Sequence, residues 1–123
     1  MHHELSWFRY GSHRVEYERL LSKVHRQRGP YWRSFLYVLA ATGYGKQAEP
    51  YINLEQETVN PNLLGDLVSP SAGEERMIRT ALHLWNTANP RGEPWTVMDL
   101  RGLDSNNLRV CVVGIEHLVS NVG

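Results

Sequence analysis

Residues 30–42 read PYWRSFLYVLAAT. Trp32, Phe35, Leu36 and Leu39 recur at helical spacing, and Tyr31, Val38 and Thr42 widen the stripe. A helix that is apolar on most sides belongs at the centre of a bundle. Pro30 suits a first helical turn, where its missing N–H has no intrahelical partner to lose. Gly43 follows as a stop signal. The segment reads as a core helix, and the rest of the chain is expected to supply the helices around it.

Upstream, a helix is predicted from Ser12, a good N-cap type, to the Gly29-Pro30 break. Tyr17, Leu20, Leu21 and Val24 make its inner face. Arg14, Glu18, Lys23 and Arg26 lie outside it. Residues 44–70 are broken by Gly45, Pro50, Asn60-Pro61 and Pro70. Within them Tyr51, Ile52 and Leu54 fit a short strand or one helical turn, and Pro61–Asp66 fits a short helix capped by Asn60. Ser71-Ala72-Gly73-Glu74 has the spacing of a capping box. It opens a helix with Met77, Ile78, Ala81, Leu82, Trp85 and Ala88 inside, ended by Asn89-Pro90. Trp95 is expected to pack down as an anchor, with Thr96 and Asp99 capping a single turn that carries Val97 and Leu100.

The last segment, Ser105–Ser120, places Leu108, Cys111, Val112, Ile115, Leu118 and Val119 on a helical stripe. Its valines also suit a strand through Arg109–Val113; the unbroken helical period favours helix. The expected fold is all-α: a compact bundle of four main helices plus one or two short helices. Residues 1–123 are read as a single helical domain, with 1–11 as a flexible or loosely packed N-terminal segment.

The composition excludes whole classes. At 123 residues the chain suits one domain. Four Trp, six Tyr and 41% hydrophobic residues supply a core, which argues against disorder. No apolar run approaches the ~20 residues of a membrane span. A single cysteine cannot form an internal bridge, and it fits a reducing cytoplasm. The residues Met1-His2-His3-Glu4 do not open a secretory signal.

Several blocks resemble a known family in order and spacing. Arg79-Thr80-Ala81-Leu82-His83-Leu84-Trp85-Asn86 is similar to its R-L-A-F-N-L-[YW]-N stretch. Ser34-Phe35-Leu36-Tyr37-Val38-Leu39-Ala40 looks like its A-L-F-Y-L-L-G helix. Val59-Asn60-Pro61-Asn62-Leu63-Leu64 looks like its I-x-P-x-x-L turn, and Trp95–Leu100 like its F-T-x-x-N-L segment. The family is a small, uncharacterised, all-helical one built on a domain of unknown function. It occurs in Gram-positive bacteria and in their phages and plasmids. The resemblance spans roughly residues 15–118 and implies a compact helical fold and a mobile-element setting; it implies no activity. The chain departs from the family at Val68–Gly73, where the family carries W-Q-T-G-[ST].

Catalytic and metal motifs are weak. Cys111 lies on an apolar stripe, which suits packing better than nucleophilic attack. The six histidines show no H-x-x-x-H spacing. His83 reads as a hydrogen-bonded structural residue, and His13 as a partner for Glu16. Gly43-Tyr44-Gly45-Lys46 follows a helix rather than a strand and is no phosphate loop. Neither catalytic residues, nor a metal site, nor a cofactor is expected.

Charge is more informative. Residues 9–33 hold seven cations (Arg9, Arg14, Arg19, Lys23, Arg26, Arg28, Arg33) against Glu16 and Glu18, a net +5. Residues 47–75 hold Glu49, Glu55, Glu57, Asp66, Glu74 and Glu75 with no Lys or Arg, a net −6. The zero net charge therefore conceals two opposed segments, which either neutralise each other or face partners. The expected function is a non-enzymatic, protein-binding protein from a phage or mobile element. Its sharpest form is an inhibitor of a host defence complex, anti-CRISPR-like, that masks a nucleic-acid-binding effector. Arg19, Lys23, Arg26, Arg28, Arg33, Glu55 and Glu57 are the candidate contact residues. The alternatives are a nucleic-acid-binding accessory protein using residues 9–33 and a small enzyme, which requires a concave pocket.

Overall fold

The structure is a computed structural model that describes residues 5–23, 29–53, 56, 58–60, 63, 71–86 and 94–121. Four long helices carry it: α1 (Gly11–Ser22), α2 (Pro30–Ala41), α4 (Ala72–Asn86) and α5 (Ser105–Asn121). A four-residue helix, α3 (Gly45–Ala48), runs into a 3-10 turn at Glu49–Tyr51. A second 3-10 turn spans Val97–Leu100. The fold is all-α, apart from a two-residue antiparallel pair. In it β1 (Ile52–Asn53) meets β2 (Thr58–Val59) with Ile52 opposite Val59.

α2 is the central element. Residues 34–41 are buried without interruption, and α1, α4 and α5 all pack on it. Its sequence allows this because no charged side chain follows Arg33 in the helix. Gly43 then takes φ +80, which a residue without Cβ adopts freely, and turns the chain out of the helix.

The local signals are realised in hydrogen bonds. Ser71 N donates to Glu74 Oε1 (2.8 Å) and Glu74 N donates to Ser71 Oγ (3.1 Å). Thr96 N donates to Asp99 Oδ2 (2.9 Å), and Met98 N donates to Thr96 Oγ1 (3.2 Å). Leu63 is helical and buried, and its N–H donates to Asn60 O (3.1 Å). The other residues of the turn expected at Pro61–Asp66 lie outside the described residues, as does Val24. For Tyr51 and Ile52 both expected forms occur in succession, a 3-10 turn and then a strand.

Three expectations are corrected. The segment before α1 is not loose where it is described. Leu5, Trp7 and Phe8 pack on the core, and Phe8 lies 5.1–5.7 Å from the His13, Tyr17 and Tyr37 rings. α1 begins one residue early, with Tyr10 as N-cap and Ser12 inside the first turn. α5 docks on a face that shares only part of the stripe its periodicity marks: Cys111, Ile115 and Leu118 pack inward, and the other three do not. Val110, Cys111, Gly114 and His117 are buried, while Leu108, Val112 and Val119 are 38%, 42% and 69% exposed. Gly114 is the reason: a Cβ there would stand 2.7 Å from Val38 Cγ2. The missing side chain lets α5 approach α2 on that side and rotates the larger residues outward.

Candidate functional site

The side chains of α2, α4 and α5, together with Trp95, enclose an open cleft of about 770 Å³. Tyr31 and Trp32 come from the first turn of α2. Thr80, His83, Leu84 and Trp85 come from one face of α4, and Ile115, Leu118 and Val119 from α5. Three of the chain's four tryptophans therefore converge here.

The aromatic walls are braced from behind. Trp32 lies 5.8 Å from Trp85 and 5.7 Å from Phe35, at the offset and edge geometries that aromatic pairs favour. Trp95 stacks on His83 at 5.0 Å with planes 17° apart. Its indole Nε1 donates to Thr80 Oγ1 (2.9 Å), and that hydroxyl donates to Arg76 O (2.9 Å). The 3-10 turn after Trp95 is tied to α4 by the Arg79–Asp99 ion pair (3.3 Å) and by Arg76 donating to Arg101 O. Trp95 is thus held by its own ring contacts and by the turn that follows it. Tyr31 is 47% exposed and forms a rim.

Among the described residues the polar groups lining the cleft are few: the Tyr31 and Thr80 hydroxyls, the His83 imidazole and the tryptophan indole N–H groups. His83 Nδ1 is buried and has no hydrogen-bond partner. Among the described residues no carboxylate, thiol or amine lines the cleft. Cys111 is fully buried, and burial pushes its thiol up to about 12, only partly offset by a hydrogen bond with Thr80. A thiol held protonated in this way is not a nucleophile. Among the described residues no group of three or more His, Cys, Asp or Glu side chains is placed to hold a metal. None of the described helices is long and apolar enough to cross a membrane.

The sequence-derived contact residues have another location. Arg19 pairs with Glu16 and, at 2.7 Å, with Glu49; Lys23 also pairs with Glu49. The basic and acidic segments neutralise each other there, and both carboxyls are held below their ordinary range, chiefly by the Arg19 hydrogen bond at Glu16 and the Lys23 hydrogen bond at Glu49. Arg33 stands apart on α2, half-buried. Arg26, Arg28, Glu55 and Glu57 lie outside the described residues. The expected His13–Glu16 pair is not the arrangement either. His13 is buried, with Nδ1 accepting from Arg9 N (3.0 Å) and Nε2 donating to Tyr37 O (2.8 Å). That pattern fixes the neutral Nε2–H tautomer.

Sequence reasoning placed Trp32 and Trp85 in the core and Trp95 as an anchor, and so missed the cleft. The available signal was the aromatic content of the two first-turn and last-turn segments, Tyr31-Trp32 and His83–Trp85, which a bundle brings together. No protein-family model, curated protein or solved structure gives a significant match to the chain.

Proposed function

We propose that the protein is a non-catalytic binding protein that masks a surface of a partner protein, and that the aromatic cleft receives the partner's anchoring side chains. One observation carries this reading: Tyr31, Trp32, Trp85 and Trp95 meet at a single open concavity with few polar groups. Tyr and Trp supply most of the energy at protein interfaces where they line a desolvated pocket. The volume lies in the ~300–1,000 Å³ range of ligand-accepting sites. The narrower form, an inhibitor of a host defence complex working in the cytoplasm of a bacterium, draws on the resemblance to a phage- and plasmid-borne family. The nucleic-acid alternative loses support at Arg19 and Lys23, whose charges are spent on Glu16 and Glu49.

The test is an affinity capture from bacterial lysate, with and without nuclease. It compares the wild-type chain with Trp95→Ala and with the pair Arg19→Glu and Lys23→Glu. The expected result is a stoichiometric protein partner that survives nuclease, is lost with Trp95→Ala, and is kept by the α1 pair. Thermal melting confirms that each variant is folded. Recovery of nucleic acid alone, released by salt, overturns the proposal. Retention of the partner by folded Trp95→Ala overturns the cleft as the site.

A further inference from the structure

α5 has two apolar faces. The inner one, Val110, Cys111 and Gly114, is consumed by α2 and its neighbours. The outer one consists of Leu108, Val112 and Val119, all exposed, with Ile115 at its edge, half-buried and also packed against the core. These four recur at helical spacing over ~16 Å of helix. The chain has no described element packed over Leu108, Val112 and Val119.

We infer that this outer stripe is a self-complementary interface that joins two copies of the chain, α5 antiparallel to α5 about a two-fold axis. Turning the helix end for end about the midpoint between Val113 and Gly114 exchanges Leu108 with Val119 and Val112 with Ile115. The stripe therefore maps onto itself, as an isologous contact requires. Charge supports the same register. Arg109 and Glu116 are both exposed and lie on the same flank of the stripe. In an antiparallel pair, like flanks face each other, so Arg109 of one copy comes beside Glu116 of the other, twice. Arg109 is already steadied, with its guanidinium 4.2 Å above the Trp7 ring. A parallel pair sets unlike flanks against each other, so Arg109 of one copy does not meet Glu116 of the other. Ile115 and Val119 also line the cleft, so the second copy covers one lip of it, although the inference does not rest on what the cleft binds.

The experiment is sedimentation equilibrium of the full chain over a concentration series, with circular dichroism to verify folding. Wild type is expected to show a monomer–dimer equilibrium. Val112→Glu, at an exposed position, is expected to weaken it at least ~100-fold by placing two carboxylates in the seam. Arg109→Glu and Glu116→Arg singly are expected to weaken it ~10-fold, and the double exchange to restore it to within ~3-fold. A wild-type chain that stays monomeric throughout overturns the inference. So does a dimer indifferent to Val112→Glu. Failure of the double exchange to recover affinity overturns the antiparallel register.

Discussion

The hydroxyl of Tyr37, in the middle of α2, donates to the backbone carbonyl of Trp7 at 2.6 Å. One bond thus fastens the segment before α1 to the central helix. Tyr37 is fully buried, and burial drives its phenol well above the ordinary range, so the group stays a donor at any usable pH. Tyr37→Phe deletes the donor and leaves the Trp7 carbonyl unmatched. The expected loss is about 1–2 kcal/mol, read by urea denaturation, with faster hydrogen exchange or proteolysis before Gly11. Unchanged stability and protection would show that the packing of Leu5, Trp7 and Phe8 and the hydrogen bonds of Arg9 and Tyr10 hold the segment without this bond.

At Gly114 two effects compete. Alanine improves helix propensity by about 0.8–1 kcal/mol over glycine. Its Cβ, however, would lie 2.7 Å from Val38 Cγ2 and 3.4 Å from Leu84 Cδ1. Overpacking of this kind costs about 1–3 kcal/mol, so Gly114→Ala is expected to be net destabilising. Val38→Ala in the same chain is expected to relieve part of the loss, because it removes the obstructing methyls. A more stable Gly114→Ala protein would place α5 further from α2.

Acid is expected to weaken the fold in two stages. Burial is the main cause that lowers His13 below its ordinary 6.5, so the native state prefers the neutral ring. Its stabilising share is complete above about 6.5 and falls as pH drops from there toward the lowered value. Glu16 and Glu49 are also lowered, but as carboxylates starting from 4.5. Their share is present above 4.5 and is lost as pH falls through the lowered values. Melting temperature against pH should therefore decline first below about 6.5 and again below about 4.5. His13→Gln is expected to flatten the first stage only; a decline unchanged in His13→Gln would assign it to another group.

Cys111 is expected to resist alkylation by iodoacetamide in the native state, because its thiol is buried and raised to about 12. Labelling followed by mass spectrometry through a urea series should track global unfolding. Native-state labelling at the rate of a free thiol would mean that the α2–α5 contact opens locally.

The parts of this architecture legible in the sequence are those settled within one turn of chain. Ser71 with Glu74 and Thr96 with Asp99 satisfy their own backbone donors, and Gly43 needs no distant partner to adopt its φ. The interior of α2 was legible because almost every position is apolar, so no choice of face arises. α5 offered a choice. Leu108, Val112 and Val119 look like core by period, yet Gly114, small and easily discounted, decides where the helix touches α2. His13 was misassigned for a related reason: its partners, Arg9 N and Tyr37 O, are backbone atoms, which no residue pattern announces. The cleft is a property of three helices and a loop together, and none of its residues is unusual alone.

The strap before α1 reaches the far end of the fold: Arg9 Nη1 donates to Asn107 Oδ1 at 2.7 Å, and Trp7 lies under Arg109. These contacts join residues about a hundred positions apart. On a ribosome, α1, α2 and α4 emerge before either contact exists. The Arg9 and Trp7 contacts with α5 therefore wait for that helix, and closing so wide a loop is entropically slow compared with pairing neighbours. Phe8 and the Trp7 carbonyl take their partners from α1 and α2, so the α5 contacts add a second clamp to a segment that those helices can seat first.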